Sequence, residues 1–175
     1  MNMISQVEIR QATKEDAGLI ADMSRRTFYD SFAHQNTPED IALYMDKQFT
    51  RESLIAEVGA PGNTFLVAWL EEKPVGYVRL LEHAPPPGMG EGPAIEIVRL
   101  YAEQSVIGKG IGRALMQSSI DLAREKGLQW IWLGVWEHNH RAIAFYTKWG
   151  FEKFGDHPFV LGTDKQTDWW MKRKL

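Results

Sequence analysis

The 175-residue sequence contains no cysteine. This absence excludes disulfide bonds, thiolate metal ligands and a cysteine nucleophile, and it is consistent with a reducing compartment. His138 and His140 lie two positions apart, but no set of acids or thiols around them completes a metal site. We therefore expect a cytoplasmic protein that binds no metal, with these two histidines on its surface.

Long apolar runs and an excess of either charge are also missing. No apolar run reaches about 18 residues, the length of a membrane-spanning helix, and the opening residues MNMISQVEIRQATKED lack the apolar core of a signal peptide. Lys and Arg number 20 against 23 Asp and Glu, for a net charge of −3. Because this balance gives no general affinity for nucleic acid, we expect neither a membrane nor a nucleic acid as partner.

The residues that are present indicate a single globular domain over residues 1–175. Hydrophobic residues make up 44% and charged residues 25% of the chain, which is typical of a folded protein. The one break in composition is HAPPPGMGEGP at 83–93. It is too rich in Pro and Gly for a helix or a central strand, so we predict a loop there.

Hydrophobic periodicity and capping residues predict the elements along the chain. The predicted helices cover residues 13–32, 37–48, 50–58, 110–126 and 139–149. The predicted strands cover residues 7–12, 63–71, 75–82, 94–102 and 129–136, with a hairpin turn at 72–74 and shorter strands near 151–154 and 168–172. This order predicts a mixed α/β sandwich.

A glycine-rich turn joins the predicted strand at 94–102 to the helix that follows it. It reads Ile107-Gly108-Lys109-Gly110-Ile111-Gly112-Arg113, and its glycines let backbone N–H groups approach a ligand closely. The helix N-terminus and the two cationic side chains add positive charge, so the segment is suited to a pyrophosphate. A tight turn without a ligand remains an alternative, whereas the Walker A and dinucleotide-binding spacings do not match.

A second motif follows the predicted strand at 129–136. Asn139, Ala142, Tyr146, Gly150 and Phe151 form the pattern Asn-x-x-Ala-x-x-x-Tyr-x-x-x-Gly-Phe. Together with the Gly-x-Gly loop before it, this pattern resembles the GNAT superfamily of N-acetyltransferases. Four shorter segments resemble the bacterial Pai-type spermidine/spermine N-acetyltransferases: TFYDSF at 27–32, QNTPED at 35–40, IWLGVWE at 131–137 and QTD at 166–168.

The resemblance implies a fold and a reaction. The expected fold is the GNAT-type mixed α/β fold, a largely antiparallel central sheet flanked by helices and splayed between its fourth and fifth strands. The expected reaction moves acetyl from acetyl-CoA to a primary amine of a small molecule, with a polyamine as the first choice. The alternatives are an amino acid, an aminoglycoside, a protein amine or a non-catalytic acetyl-CoA sensor. A homodimer is common in this family.

The resemblance also implies coenzyme-binding residues. The backbone of Leu100, Tyr101 and Ala102 is expected to hold the pantetheine arm, and residues 107–113 are expected to bind the diphosphate. Asn139 is expected to contact the coenzyme, although it also fits a helix N-cap, and Lys148 either reaches a phosphate or is only solvated. The family has Gln or Arg where this chain has Ile107, so a polar side-chain contact is lost at that position.

Removing a proton from the acceptor is the main chemical difficulty. An alkyl amine with a pKa of about 10.4 loses its proton at neutral pH at a cost of roughly 4.6 kcal/mol, so a general base is required. Glu96 on the fourth strand is the candidate, because glutamate bases in histone-acetylating relatives stand at the same spacing from the loop. Pairing of Glu96 with a neighbouring cation is the alternative.

Three further roles complete the expected site. The backbone N–H of Leu100 is expected to stabilise negative charge on the thioester carbonyl. Tyr146 matches the general acid of the family, which protonates the leaving thiolate at a cost of about 2 kcal/mol for ordinary pKa values; its alternative role is that of a core aromatic. The acids expected to line the path of a cationic acceptor are Asp30, Glu91, Glu96 and Glu137.

Overall fold

The computed structural model describes residues 6–175, and its elements follow the predicted order. The α-helices are α1 (Ala17–Phe32), α2 (Pro38–Gln48), α3 (Arg51–Glu57), α4 (Ile111–Glu125) and α5 (His140–Lys148). The β-strands are β1 (Glu8–Gln11), β2 (Asn63–Leu70), β3 (Lys73–Leu81), β4 (Ala94–Ala102), β5 (Trp130–Trp136), β6 (Glu152–Leu161) and β7 (Asp164–Lys174). None of the helices in this range is long and apolar enough to cross a membrane.

Side-chain caps fix the starts of α2 and α3. The Thr37 hydroxyl accepts a hydrogen bond from the N–H of Asp40 at 3.1 Å, and Pro38 occupies the first helical position. The Thr50 hydroxyl accepts one from the N–H of Ser53 at 3.2 Å. Each bond satisfies an N–H group that has no partner within its helix, which confirms the starts predicted from the sequence.

The strands of residues 6–175 form one sheet in the order β1-β2-β3-β4-β5-β7-β6. All neighbouring pairs are antiparallel except β4 and β5, which run parallel and are connected through α4. Helices cover both faces. The predicted fold class, a mixed and largely antiparallel sheet flanked by helices, is therefore confirmed.

The two faces of the sheet bury different helices, because successive side chains of a strand point to opposite faces. One face packs against α4, and its core includes Ile95, Leu115, Met116, Ile131 and Leu133. The other face packs against α1, and its core includes Ile20, Met23, Phe65, Val67 and Tyr77. Residues of β4 and β5 that alternate with Ile95, Ile131 and Leu133 therefore lie on the face opposite α4.

The parallel strands β4 and β5 pair only over their first halves. Their register runs from Ala94 opposite Trp130 to Ile97 opposite Leu133. Beyond this point β4 continues beside β3 to Ala102, and β5 continues beside β7 to Trp136. A bulge in β4 lies at the same place, where the register with β3 shifts between Arg79 and Leu80. This bulge accounts for the change of direction, and the expected splay is confirmed.

The sequence underestimated the C-terminal hairpin. β6 and β7 extend over 152–161 and 164–174, whereas short strands near 151–154 and 168–172 were predicted. Gly155 and Pro158 disfavour a strand locally. However, β6 is an edge strand of the sheet, where a proline without an N–H is tolerated, and Gly155 lies at a register shift opposite Trp170. Pairing with β7 thus overrides the local preference.

The hairpin turn between β2 and β3 also differs from the prediction. The turn is formed by Glu71 and Glu72, which have φ angles of 50° and 63°, and Lys73 and Pro74 already belong to β3. Two residues with positive φ match the twist of the flanking strands. The length of the strand pairing, rather than the proline, decides where this turn lies.

An ion-pair group ties α3 to the sheet. Glu57 at the end of α3 binds Arg79 of β3 at 3.2 Å and also binds Arg99 of β4. All three side chains are largely buried. One carboxylate therefore pairs with two guanidinium groups on the face opposite α4, at the point where β4 leaves β5, and the group keeps one positive charge in excess.

We expect Glu57→Gln to lower the free energy of unfolding by about 3 kcal/mol, because removing one partner leaves buried charges unpaired. Chemical denaturation of the two proteins measures this change. Glu125→Gln, which removes an exposed carboxylate from α4, serves as the control and should change the free energy of unfolding by less than about 0.5 kcal/mol. Equal effects of the two substitutions would contradict the assignment.

Candidate active site

The glycine-rich turn lies at the end of β4, as predicted, and leads directly into α4. Gly108 and Gly110 have φ angles of 86° and 85°, and a Cβ atom at either position would meet nothing within 4 Å. Only glycine adopts such angles without strain. The backbone at both glycines is therefore open to close approach by a ligand.

The free N–H donors of this turn cluster at the start of α4. The first bond of the helix runs from the N–H of Ala114 to the carbonyl of Gly110 at 3.0 Å, so the N–H groups of residues 111–113 have no partner within the helix. The N–H groups of Ile107 and Lys109, in contrast, donate to the carbonyls of Gln104 and Val106, just before the turn. The Ile107 side chain is 42% exposed. The C-terminal half of the predicted segment, residues 110–113, is therefore the better anion site.

Helix α5 packs beside this turn. A Cβ atom at Gly112 would lie 3.6 Å from the ring of Phe145. Leu100, Ala102, Phe145 and Tyr146 all pack against the core that contains α4. The fold therefore brings the end of β4, the start of α4 and α5 together, although they are far apart in the sequence.

Asn139 and Lys148 lie at opposite ends of α5. The Asn139 side chain accepts a hydrogen bond from the N–H of Ala142 at 3.2 Å, so it caps the helix in the way that the sequence allowed. Lys148 is exposed in the last turn. The cap uses one side-chain oxygen of Asn139 and leaves its amide N–H groups available.

Tyr146 is packed among aromatic rings. Its ring centroid lies 5.5 Å from that of Phe145 and 5.8 Å from that of Phe151. Burial raises the pKa of Tyr146 to about 12, so the hydroxyl keeps its proton at neutral pH. Donation to a thiolate whose conjugate acid has a pKa of about 8.5 then costs about 5 kcal/mol, compared with about 2 kcal/mol for an ordinary tyrosine.

Tyr101 belongs to the opposite face of the sheet. It packs against the core that contains α1, with its ring centroid 6.3 Å from those of Phe32 and Tyr77. Burial raises the pKa of Tyr101, and Tyr77 and Tyr146 raise it further. Leu100 and Ala102 face α4 while Tyr101 faces α1, so the side chains of these three residues lie on the two faces of the sheet.

Glu96 lies one residue before the last β4–β5 pair and faces away from α4. Its carboxylate is 19% exposed and lies 2.5 Å from Nε2 of His83. The His83 ring is 5.4 Å from that of Trp132, which is the β5 neighbour of Glu96. Sequence reasoning missed His83, which belonged to the predicted loop. No local sequence signal indicates it, because the antiparallel register of β3 with β4 is what places the end of β3 beside Glu96.

The other predicted acids are spread over separate elements. Asp30 lies in α1 near Arg26. Glu103 is the main cause of the raised pKa of Arg26, and the charge of Asp30 adds to it. Glu91 is exposed in the loop before β4. Glu137 follows β5 and lies 3.5 Å from Nε2 of His138. Glu96 is the one of the four that lies in a strand bordering the gap.

Comparisons with known proteins identify the family of this chain. The model of the Acetyltransferase (GNAT) family matches residues 22–151. An uncharacterized N-acetyltransferase of Lactobacillus delbrueckii subsp. lactis is 36% identical over 97% of this chain and 98% of its own length. A spermidine N(1)-acetyltransferase of Thermoplasma acidophilum is 24% identical over 83% of this chain and 88% of its own length.

A solved structure shares the fold. The PaiA N-acetyltransferase of Thermoplasma acidophilum, in complex with coenzyme A, superposes with a TM-score of 0.76 at 22% identity and covers 97% of this chain and 99% of its own. The family match spans both the glycine-rich turn and the Asn139–Phe151 motif. The chain therefore belongs to the GNAT family of acetyltransferases and is an acetyl-CoA-dependent N-acetyltransferase.

Proposed function

We propose that this enzyme transfers acetyl to a primary amine of a small molecule, and that the acceptor is a polyamine such as spermidine or spermine. The observation that carries the proposal is the carboxylate of Glu96, which lies largely buried beside the gap between β4 and β5. A carboxylate in this position attracts an ammonium group and accepts its proton. The distant spermidine acetyltransferase and the PaiA fold neighbour support the choice of acceptor.

The chain supplies three groups for the reaction. The Glu96 carboxylate takes the proton from the acceptor ammonium, and His83 holds that carboxylate in position. The N–H of Leu100 donates to the thioester carbonyl as negative charge develops on its oxygen. As the amine nitrogen bonds to the carbonyl carbon and the carbon–sulfur bond breaks, the Tyr146 hydroxyl gives its proton to the departing thiolate, which leaves as a neutral thiol. Residues 110–113 at the start of α4 hold the coenzyme diphosphate.

A panel of acceptors tests this proposal directly. Thiol release from acetyl-CoA is measured with spermidine, spermine, amino acids and aminoglycosides. We expect spermidine or spermine to give the highest kcat/KM. A higher kcat/KM for an amino acid or an aminoglycoside would contradict the polyamine assignment, and thiol release with none of these amines would contradict a small-amine acceptor.

Gly110→Ala tests the coenzyme site, and the chain offers a matched control. Gly110 and Gly127 stand at opposite ends of α4 with φ angles of 85° and 73°, and a Cβ atom at either position would meet nothing within 4 Å. Alanine at either position should cost about 1 kcal/mol of stability. Only Gly110→Ala should weaken acetyl-CoA binding, by roughly tenfold, as expected for a lost hydrogen bond to a charged group. Calorimetry measures both affinities, and equal losses would place the diphosphate elsewhere.

Tyr146→Phe tests the general acid. The substitution should lower kcat by roughly 100-fold and leave the acetyl-CoA affinity unchanged, because the hydroxyl acts on the leaving group. Tyr29→Phe, in an exposed tyrosine of α1, is the control and should match wild type in both quantities. A wild-type kcat for Tyr146→Phe would remove this residue from the mechanism.

Glu96→Gln tests the general base. We expect kcat/KM at neutral pH to fall by roughly 100-fold and the rate profile to move to higher pH, where more of the amine is free. Glu82→Gln, which removes a more exposed carboxylate paired with Lys126, should leave the profile unchanged. If the Glu96→Gln profile coincides with that of wild type, another group accepts the proton.

A further inference from the structure

A carboxylate outside the predicted site lies beside the point where β5 leaves β4. Asp168 of β7 pairs with Trp136 of β5 on one side and with His157 of β6 on the other. A Cβ atom at Gly134 would lie 3.5 Å from His157 Nε2, 3.9 Å from Asp168 Oδ2 and 4.0 Å from Trp170 Cδ1. We call this space above Gly134 the Gly134 recess.

The Gly134 recess opens next to the gap between the strands. Gly134 is the first residue of β5 beyond its last pair with β4, and it is exposed. Its neighbour Leu133 points into the core beneath α4, so the recess lies on the opposite face, which also holds Glu96. A glycine inside a strand of large residues often marks a place where a ligand approaches closely.

The Asp168 carboxylate lacks hydrogen-bond donors. Its side chain is 18% exposed, and the nearest cationic atom, Nε2 of His157, is 4.0 Å away, which is too far for a hydrogen bond. Within residues 6–175 no other group forms an ion pair or a hydrogen bond with it. Burial raises the pKa of Asp168, and the charge of His157 opposes this effect. A partly desolvated carboxylate without a protein donor can accept hydrogen bonds from a ligand with N–H groups.

The rings of His157 and Trp170 border the Gly134 recess. The ring of His157 stacks on that of Trp170, with centroids 4.9 Å apart. Tyr44 of α2 is close enough to Asp168 to sense its charge. Burial raises the pKa of Tyr44, the charge of Arg99 lowers it, and the charge of Asp168 raises it. Arg99 forms its ion pair with Glu57, which it shares with Arg79, and none with Asp168 within the residues that the structure describes. One negative charge among aromatic faces is suited to an alkylammonium ion, whose charge meets the carboxylate and whose methylene groups contact the rings.

We infer that Asp168 binds an ammonium group of the acceptor in the Gly134 recess and selects alkylammonium acceptors. The inference rests on the proposed function, because it supplies the acceptor of that reaction with a binding residue. Glu96 keeps the role of proton acceptor, so Asp168 contributes to binding of the acceptor and not to removal of its proton. The acceptor thus meets two carboxylates, one from each side of the gap between the strands.

Asp168→Asn tests the inference, with Asp156→Asn as the matched control. Asp156 lies on the neighbouring strand of the same hairpin and is 60% exposed, so its substitution removes the same charge without touching the recess. Asp168→Asn should raise the KM for spermidine by roughly 10- to 100-fold, as expected for the loss of a charged hydrogen bond. It should leave kcat and acetyl-CoA affinity close to wild type, since the carboxylate binds ground state and transition state alike. Asp156→Asn should match wild type in all three quantities.

Two further measurements distinguish weaker acceptor binding from unfolding and from a loss of turnover. Thermal unfolding of Asp168→Asn should occur at or above the wild-type Tm, because the substitution removes a desolvated charge, so weaker acceptor binding cannot be ascribed to unfolding. Calorimetric titration of spermidine into the protein saturated with coenzyme A should show the same 10- to 100-fold loss, whether or not turnover is seen. An unchanged spermidine affinity, no binding to wild type, or a fall in kcat at constant KM overturns the inference. Absence of turnover by wild type overturns only the proposed function if spermidine still binds through Asp168.

Discussion

The separation of β4 from β5 is the constraint on which the rest of the site depends. The two strands pair through Ile97 and Leu133 and then diverge, each held by its other neighbour. Backbone groups in the middle of the sheet thereby face the gap instead of each other, and polar backbone groups of this kind require a partner. A bulge in β4 at the same position sets the direction of the strand. The gap therefore combines hydrogen-bonding groups and space in one place.

The charges around this gap are distributed unevenly. On the face opposite α4, the guanidinium groups of Arg79 and Arg99 both pair with the one carboxylate of Glu57. Glu96 and Asp168 are each accompanied by a histidine, which unlike arginine is not permanently charged. The start of α4 offers N–H groups and the positive end of a helix dipole. An anionic ligand is thus favoured at the helix and a cationic ligand at the carboxylates, which matches a reaction between a coenzyme and an amine.

Much of the fold could be predicted because the signals are local. Thr37 and Thr50 cap helices where their sequence context indicates, and Gly108 and Gly110 adopt the left-handed conformation expected of a glycine-rich turn. The hairpin of β6 and β7 could not be predicted over its full length, because Gly155 and Pro158 oppose a strand in isolation. The full length of β6 follows from its pairing with β7. This pairing joins residues that the local sequence does not bring together.

The sequence by itself determined the family, the fold class and the motif residues at 107–113 and 139–151, since these depend on spacing within single segments. The tertiary structure alone decided which side chains meet across segments. It placed His83 against Glu96 through the register of β3 with β4, and it placed Asp168 and His157 over Gly134 through the register of β5, β7 and β6. The physical reason is that strand register fixes the neighbours of a side chain, and register depends on the pairing of the whole sheet.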